Sequence, residues 1–302
     1  MSGVAPGSLG AWLVAIRPRT LPAAVAPVVL GTAIATSRGT MALLPALAAL
    51  AGALLIQVAT NLANDYFDHR KGADTEDRLG PTRVVQAGLM PPERVLAGTI
   101  GSLLLAAAVG VYLVWVGGWP ILLVGLASLA LAVLYTGGPF PIAYHGLGEV
   151  FVFAFFGLVA VGGTYWVQAL ALPFDVLLAG AGVGAMSTAL LVVNNLRDIE
   201  ADARAGKRTL AVRLGDVGTR VEYVLVLAVA AVVPLVGWLG LGWSVWTLLA
   251  LAAFWPVREA ADVVLTYIDA QDLNRALAAT ARGVTWYAGL MSVGFVMGSP
   301  LI

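Results

Sequence analysis

Two stretches of this 302-residue chain carry carboxylates at spacings that place them together on a helix. In QVATNLANDYFDHRKGADTEDRLGPTR, residues 57–83, Asn61, Asp65 and Asp68 stand at i, i+4 and i+7, with Asn64 adjacent. At 3.6 residues per turn these positions share one face. In LLVVNNLRDIEADARAGKRTLAVRLG, residues 190–215, Asn194, Asp198 and Asp202 stand at i, i+4 and i+8. Glycine and basic residues follow each group: Lys71, Gly72, Arg78 and Arg83 in one, Gly206, Lys207 and Arg208 in the other. The two motifs form a weak internal repeat about 130 residues apart. Carboxylates crowded on one face repel unless a cation sits between them. An oxygen-only donor set suits Mg²⁺, which takes one or two carboxylates and completes its shell with phosphate oxygens and water. Two such clusters facing each other would hold Mg²⁺ against a diphosphate, with the flanking Lys and Arg neutralising the rest. The chemistry implied is the departure of pyrophosphate.

The elements that must position these residues are apolar. The chain is 60% hydrophobic and 11% charged, with a mean hydropathy of +0.90. A soluble domain carries roughly 25% charged residues. Net charge is zero, from 17 basic and 17 acidic side chains, and there is no cysteine. Soluble enzymes, disordered tails, nucleic-acid binders that rely on basicity, structural disulfides and Cys-ligated metals are excluded. The remaining class is an all-α polytopic membrane protein, a single transmembrane domain over 1–302 with no nucleic-acid partner. Apolar runs predict nine transmembrane helices in one bundle, near 20–37, 41–63, 94–116, 119–135, 149–171, 174–195, 220–240, 243–257 and 284–301. The Asp-rich motifs then lie at the ends of the second and sixth helices. The charged stretch 258–283 reads as an interfacial amphipathic cap.

All basic residues but Arg38, and all acidic residues but Asp175, fall on one set of alternate loops. The positive-inside rule makes that set cytoplasmic, so the N-terminus and the motifs face the cytoplasm and the C-terminus faces outside. Glu76, Asp77, Arg94, Glu200 and Arg213 read as solvated interface anchors. Asp65, Asp68, Asp198 and Asp202 read as functional, because an Asn-x-x-x-Asp pattern repeats at two helix ends and ionisable groups at membrane depth are expensive.

Four segments in order are similar to one known family: RPRTLPAAVAPVVLG at 17–31, NLANDYFDHRKGADTEDRLGPTR at 61–83, YTGGPFPIAYHGLGE at 135–149 and NNLRDIEADARAGKRTLAVRLG at 194–215. The chain resembles the UbiA-type intramembrane prenyltransferases over essentially its whole length. Within them it looks like the 1,4-dihydroxy-2-naphthoate polyprenyltransferase branch. The resemblance implies a plasma-membrane enzyme that transfers a polyprenyl chain from polyprenyl diphosphate to 1,4-dihydroxy-2-naphthoate. Pyrophosphate and CO₂ leave, and the product is demethylmenaquinone. It implies Mg²⁺ on Asp65, Asp68, Asp198 and Asp202, with Asn61 and Asn194 as neutral ligands. Asn64, Lys71, Arg78, Arg83, Lys207 and Arg208 would hold the diphosphate, and membrane lipid would surround the tail. Two departures from the wider superfamily bear on the acceptor. The second Asp of the first motif comes one residue early, leaving His69 in its usual place. Asn194 and Arg197 stand where relatives using 4-hydroxybenzoate often carry Tyr and Lys.

The anionic acceptor needs a cation, for which Arg17 and Arg19 are the candidates; both also read as positive-inside anchors. Tyr135 and Tyr144 flank the GGPFP turn and can line the acceptor site. Both also fit an aromatic belt, the reading preferred for Tyr144. Glu149 is a further acceptor-site candidate. His69 and His145 read as interface groups rather than metal ligands, since neither has a second His at ligand spacing. The alternatives are a related prenyltransferase acting on 4-hydroxybenzoate or homogentisate, or a divalent-cation transporter. A transporter's site is expected near the midplane on broken helices.

Overall fold

The computed structural model describes residues 4–72 and 79–299, and every regular element among them is helical. A short α1 (Leu9–Ile16) is capped by Ser8, whose hydroxyl accepts the Ala11 N–H. It ends at Arg17, held in the left-handed region at φ 52°. Pro18 starts a 3₁₀ turn that leads into α2 (Leu21–Ser37). Then follow α3 (Leu43–Arg70), α4 (Pro92–Gly117) and α5 (Trp119–Leu134). The next apolar segment is continuous but not uniform: α6 (Gly148–Val152), a π-helical stretch (Phe153–Val159) and α7 (Ala160–Ala169). After it come α8 (Phe174–Arg197), α9 (Ile199–Arg204) and α10 (Leu210–Leu241). The chain closes with a 3₁₀ run (Val245–Ala253), α11 (Phe254–Thr266) and α12 (Leu273–Met297).

Among the described residues, six helical segments are long and apolar enough to cross a membrane: Leu9–Ser37, Leu43–Arg70, Pro92–Gly117, Gly148–Ala169, Phe174–Arg197 and Leu210–Leu241. The helix Trp119–Leu134 is apolar but shorter. The most buried of the six, α8, carries the centre of the main core, with Val183, Met186, Ala189 and Val193 fully enclosed. Glycines let its neighbour come close. A Cβ on Gly157 would meet the Gly180 carbonyl at 2.6 Å, and one on Gly184 would meet the Phe153 carbonyl at 2.6 Å. In lipid, where no hydrophobic force pushes helices together, such contact of small residues supplies the packing.

Several boundaries differ from the sequence reading, and the differences concern the motifs. α3 runs two turns past residue 63, so Asn61, Asp65 and Asp68 all lie on one unbroken helix. The second motif is bent instead. α8 stops at Arg197, Asp198 leaves helical geometry at ψ 8°, and Asp202 rides on α9. The Asp202 N–H still donates to the Asp198 carbonyl at 2.8 Å, keeping the i, i+4 relation through the bend. The stretch 258–283 is not a separate cap. α11 continues to Thr266 and α12 already begins at Leu273, because Val257, Ala260, Val264, Ala276 and Ala279 bury one face of each helix. Asp74, Glu76, Asp77, Arg78 and the last residues of the ninth predicted helix lie outside the described residues.

Candidate active site

The end of α3, the bend between α8 and α9, and two loops meet at one end of the bundle. Asp68 is the hub and is almost fully buried. Its Oδ2 accepts from Arg83 Nη2 at 3.0 Å. Its Oδ1 accepts from the Tyr144 hydroxyl at 2.9 Å and lies 3.2 Å from Lys207 Nζ. The same ammonium is 3.9 Å from Asp202 Oδ1. One cation thus bridges a carboxylate of the first motif and a carboxylate of the second. Lys71 stands beside it, donating to the Thr136 carbonyl at 2.7 Å. Desolvation holds the Lys71 ammonium below its ordinary pKa; Asp68 opposes the shift and Lys207 adds to it.

Asp65, fully buried one turn earlier, is held by backbone. Its carboxylate accepts the N–H groups of Val84 at 2.9 Å and Val85 at 3.2 Å, and Arg17 Nη2 approaches to 4.0 Å. Val84 and Val85 in turn pack with Ala11, Ala15, Leu62 and Val95 in a small second core. Asp65 therefore pins the returning loop over the end of α3 and brings Arg83 to Asp68. Asn61 ties in the N-terminal segment, donating to the Ile16 carbonyl at 2.8 Å and the Thr20 hydroxyl at 2.9 Å. Asn64 accepts from the Thr136 hydroxyl at 2.8 Å.

Asp198 is gripped by its neighbour. Arg197 makes a two-pronged contact with it, Nε to Oδ1 at 2.8 Å and Nη2 to Oδ2 at 2.7 Å. The same guanidinium donates to Asn194 Oδ1 at 2.9 Å and to Asn274 Oδ1 at 3.1 Å, on the first turn of α12. Such a fork fixes direction as well as charge.

The donor set fits a hard divalent cation. Among the described residues no three of Asp, Glu, His and Cys converge on one point. Mg²⁺ does not require that, since it draws on one or two carboxylates and completes its shell with phosphate and water. Lys207 already marks a position where one positive charge reaches Asp68 and Asp202 together. The oxygens of Asp65 and Asp198 each accept an N–H in this arrangement, and a carboxylate oxygen so engaged retains a second lone pair.

Behind the carboxylates lies an apolar cavity of about 520 Å³. Its walls come from α2, α3, α4, α5 and the α6–α7 segment, with Ile56, Phe151, Phe155 and Val159 among them. Val111, Leu122 and Leu126 line it and are also exposed on the outside of the bundle, so it opens sideways. Tyr135, at the C-terminal end of α5, lines the cavity, and its hydroxyl lies beside Gly148, where an added Cβ would meet it at 3.0 Å. Glu149 is only 5% exposed; Oε1 accepts from Asn195 at 2.7 Å, and Oε2 has no hydrogen-bond partner among the described residues. A second cavity, also of about 520 Å³, opens beside Lys71, Tyr144, His145 and Arg208.

Most of the residues singled out in the sequence thus meet at one end. Asn61, Asn64, Asp65, Asp68, Lys71 and Arg83 join Asp198, Asp202, Asn194 and Lys207, while Arg208 edges the second cavity. Arg17 sits against Asp65. Arg19 is exposed on its 3₁₀ turn and makes no side-chain hydrogen bond or ion pair among the described residues. Arg78 lies outside the described residues. Tyr144 is no belt residue, since its hydroxyl is committed to Asp68. The structure adds Arg197, Asn195 and Thr136 to the site. Arg197 carried a signal, standing one position before an Asp of the motif, but nothing in the spacing relates Tyr144 or Thr136 to the first motif.

The profile of the UbiA prenyltransferase family matches residues 24–297. The chain is 46% identical, over 83% of its length and 87% of the relative's, to a 1,4-dihydroxy-2-naphthoate octaprenyltransferase from Mycobacterium tuberculosis. It is 37% identical to the Escherichia coli protein of that name, over 95% and 94% of the two chains. In fold it is similar to a UbiA homolog from Archaeoglobus fulgidus solved with GPP and Mg²⁺ bound, with a TM-score of 0.64, 13% identity, and coverage of 93% and 99% of the two chains.

Proposed function

The chain belongs to the UbiA prenyltransferase family, and from that premise we propose that it is a 1,4-dihydroxy-2-naphthoate polyprenyltransferase of menaquinone biosynthesis. It joins a polyprenyl diphosphate to 1,4-dihydroxy-2-naphthoate, releasing pyrophosphate and CO₂ to give demethylmenaquinol, the reduced form of demethylmenaquinone. The observation that carries this reading is the Lys207 bridge between Asp68 and Asp202, at the head of an apolar cavity. It supports a single site that takes a charged head and an apolar tail.

The diphosphate binds between the two motifs. Asp68, Asp202, Asp65 and Asp198 would hold the metal, with Asn61 and Asn194 beside them. Held by these carboxylates, Mg²⁺ would supply countercharge for the leaving pyrophosphate. Lys207 exchanges its carboxylate partners for phosphate oxygens, and Lys71, Arg83 and Arg208 converge from the loops; Asn64 and Arg78 complete the diphosphate set. The prenyl tail runs past Tyr135 into the apolar cavity, and its far end leaves through the side opening into lipid. When the allylic C–O bond ionises, the cation forms beside Tyr135 in a space without bulk water, where fixed carboxylates stabilise it more than they would in solvent. Glu149 orients the acceptor hydroxyl through its unpartnered oxygen, and Arg17 and Arg19 supply positive charge for its carboxylate. Attack of the ring carbon that bears the carboxylate forms the C–C bond; the C–CO₂ bond then breaks and its electron pair restores the ring. No protein nucleophile takes part.

The whole chain acts as one prenyltransferase domain with nine transmembrane segments: α5, the Val245–Ala253 run with α11, and α12 complete the count. The N-terminus and the site face the cytoplasm, in the plasma membrane, and the C-terminus faces outside. The test is an acceptor panel. Purified protein in lipid, given one polyprenyl diphosphate and Mg²⁺, is expected to consume 1,4-dihydroxy-2-naphthoate. It should leave 4-hydroxybenzoate and homogentisate untouched; equal turnover of either would overturn the assignment.

A further inference from the structure

Tyr144 sits where four parts of the site touch. Its hydroxyl donates to Asp68 Oδ1 at 2.9 Å. Lys71 Nζ lies 4.4 Å from the centre of its ring and Lys207 Nζ 4.9 Å. Its carbonyl accepts the Arg208 N–H at 3.0 Å. One side chain thus contacts a carboxylate of the first motif, the lysine after that motif and the lysine after the second. Two ammonium groups of like charge repel at this range. An aromatic ring offers both a negative face that lowers the cost, without the negative charge that would compete with a phosphate. A carboxylate in the same place would attract both lysines but repel the diphosphate.

We propose that Tyr144 is the positioning residue of the diphosphate site. Its ring holds the ammonium groups of Lys71 and Lys207 a fixed distance apart, and its hydroxyl sets the rotamer of Asp68. The inference rests on the reading of this site as a diphosphate site. It adds that the spacing of the two lysines is set before substrate arrives and is not left to their flexible stems. Lys207 contacts Asp68 and Asp202 in this arrangement, so an incoming diphosphate displaces it from carboxylates while it stays on the ring. The Tyr144 carbonyl anchors the chain next to Lys207 through Arg208, so the ring and the lysine it guides keep a common backbone reference.

Two substitutions separate the contributions. Tyr144→Phe keeps the ring and removes the hydrogen bond to a charged acceptor, and is expected to lower kcat/KM for the prenyl diphosphate about tenfold. Tyr144→Leu also takes the ring from both lysines, and is expected to cost about tenfold more. In both variants the loss falls on donor KM and on the inhibition constant of inorganic pyrophosphate, while KM for the acceptor stays within about twofold of the parent value. A merely structural role would lower turnover without that split. Should Tyr144→Leu fail to fold, as judged by thermal unfolding in detergent, Tyr144→Phe decides the matter alone. Unchanged donor KM and pyrophosphate inhibition in Tyr144→Phe, or a loss confined to the acceptor, would overturn the proposal. Asp68→Asn, assayed alongside, keeps the two levels apart. If it is inactive while the Tyr144 variants behave as the parent, only the positioning role fails; if it turns over normally, the diphosphate reading fails with it.

Discussion

What distinguishes the four aspartates is the partner each already has. Asp68 and Asp202 share the ammonium of Lys207, and Asp68 also pairs with the buried Arg83, whereas Asp198 is locked to the buried Arg197 and Asp65 to two backbone amides. Substitution should therefore divide them. Asp68→Asn and Asp202→Asn keep shape and are expected to lose about a hundredfold or more in kcat, as removal of a group acting on the transition state does; Asp202→Asn does so at unchanged thermal stability, whereas Asp68→Asn also weakens the buried Arg83 pair and lowers the unfolding midpoint. Asp198→Ala strands a guanidinium whose side chain is fully buried, and breaking such a pair by removing one partner costs about 3–5 kcal/mol. Its unfolding midpoint in detergent should fall as well as its activity; an unchanged midpoint would show that the Arg197 fork carries no structural weight. The helical spacing of Asn61, Asp65 and Asp68 was legible from sequence because it is local. The grip of Tyr144 on Asp68 was not, since the two residues are 76 positions apart and only the fold brings them together.

At the scale of elements, the cavity behind the site depends on how the α6–α7 segment crosses α8. Gly157, Gly180 and Gly184 let the backbones touch, and the π-helical turn at Phe153–Val159 resets the phase of the helix there. Phe151 and Phe155 both come to line the cavity. Apolar runs located every one of these helices, but not the π turn or the bend at Asp198. Those arise from backbone contacts that periodicity does not encode. Gly163 offers a direct probe: it lines the cavity and has open space where a Cβ would stand. Gly163→Phe should fill the tail's path. Donor KM for a long polyprenyl diphosphate is expected to rise about tenfold or more while geranyl diphosphate is used nearly as before, as a lost hydrophobic subsite discriminates by size. Equal losses for both donors would place the tail elsewhere.

For the whole molecule, the zero net charge conceals a strong polarity. Arg38 and Asp175, the two charged residues that the sequence set apart from the others, pair with each other at the end of the bundle remote from Asp68. Trp243 Nε1 donates to the same Asp175 carboxylate at 3.2 Å. The separation of charge was legible because alternate loops differ so sharply in Lys and Arg. The orientation it implies can be read directly, since the chain has no native cysteine. In intact cells a membrane-impermeant maleimide should label Leu172→Cys and spare Ala203→Cys, with the reverse pattern in inverted vesicles. Labelling of Ala203→Cys in intact cells would turn the site outward. The reaction proposed for the two-motif site is a decarboxylating prenyl transfer. Its most direct test is to supply the purified protein with 1,4-dihydroxy-2-naphthoate carrying ¹³C in the carboxyl group, together with a polyprenyl diphosphate, and to count products. Labelled CO₂, pyrophosphate and prenylated naphthoquinol are expected in equal amounts, all abolished by EDTA and restored by Mg²⁺. A prenylated product that keeps the label, or pyrophosphate released without CO₂, would contradict that reaction.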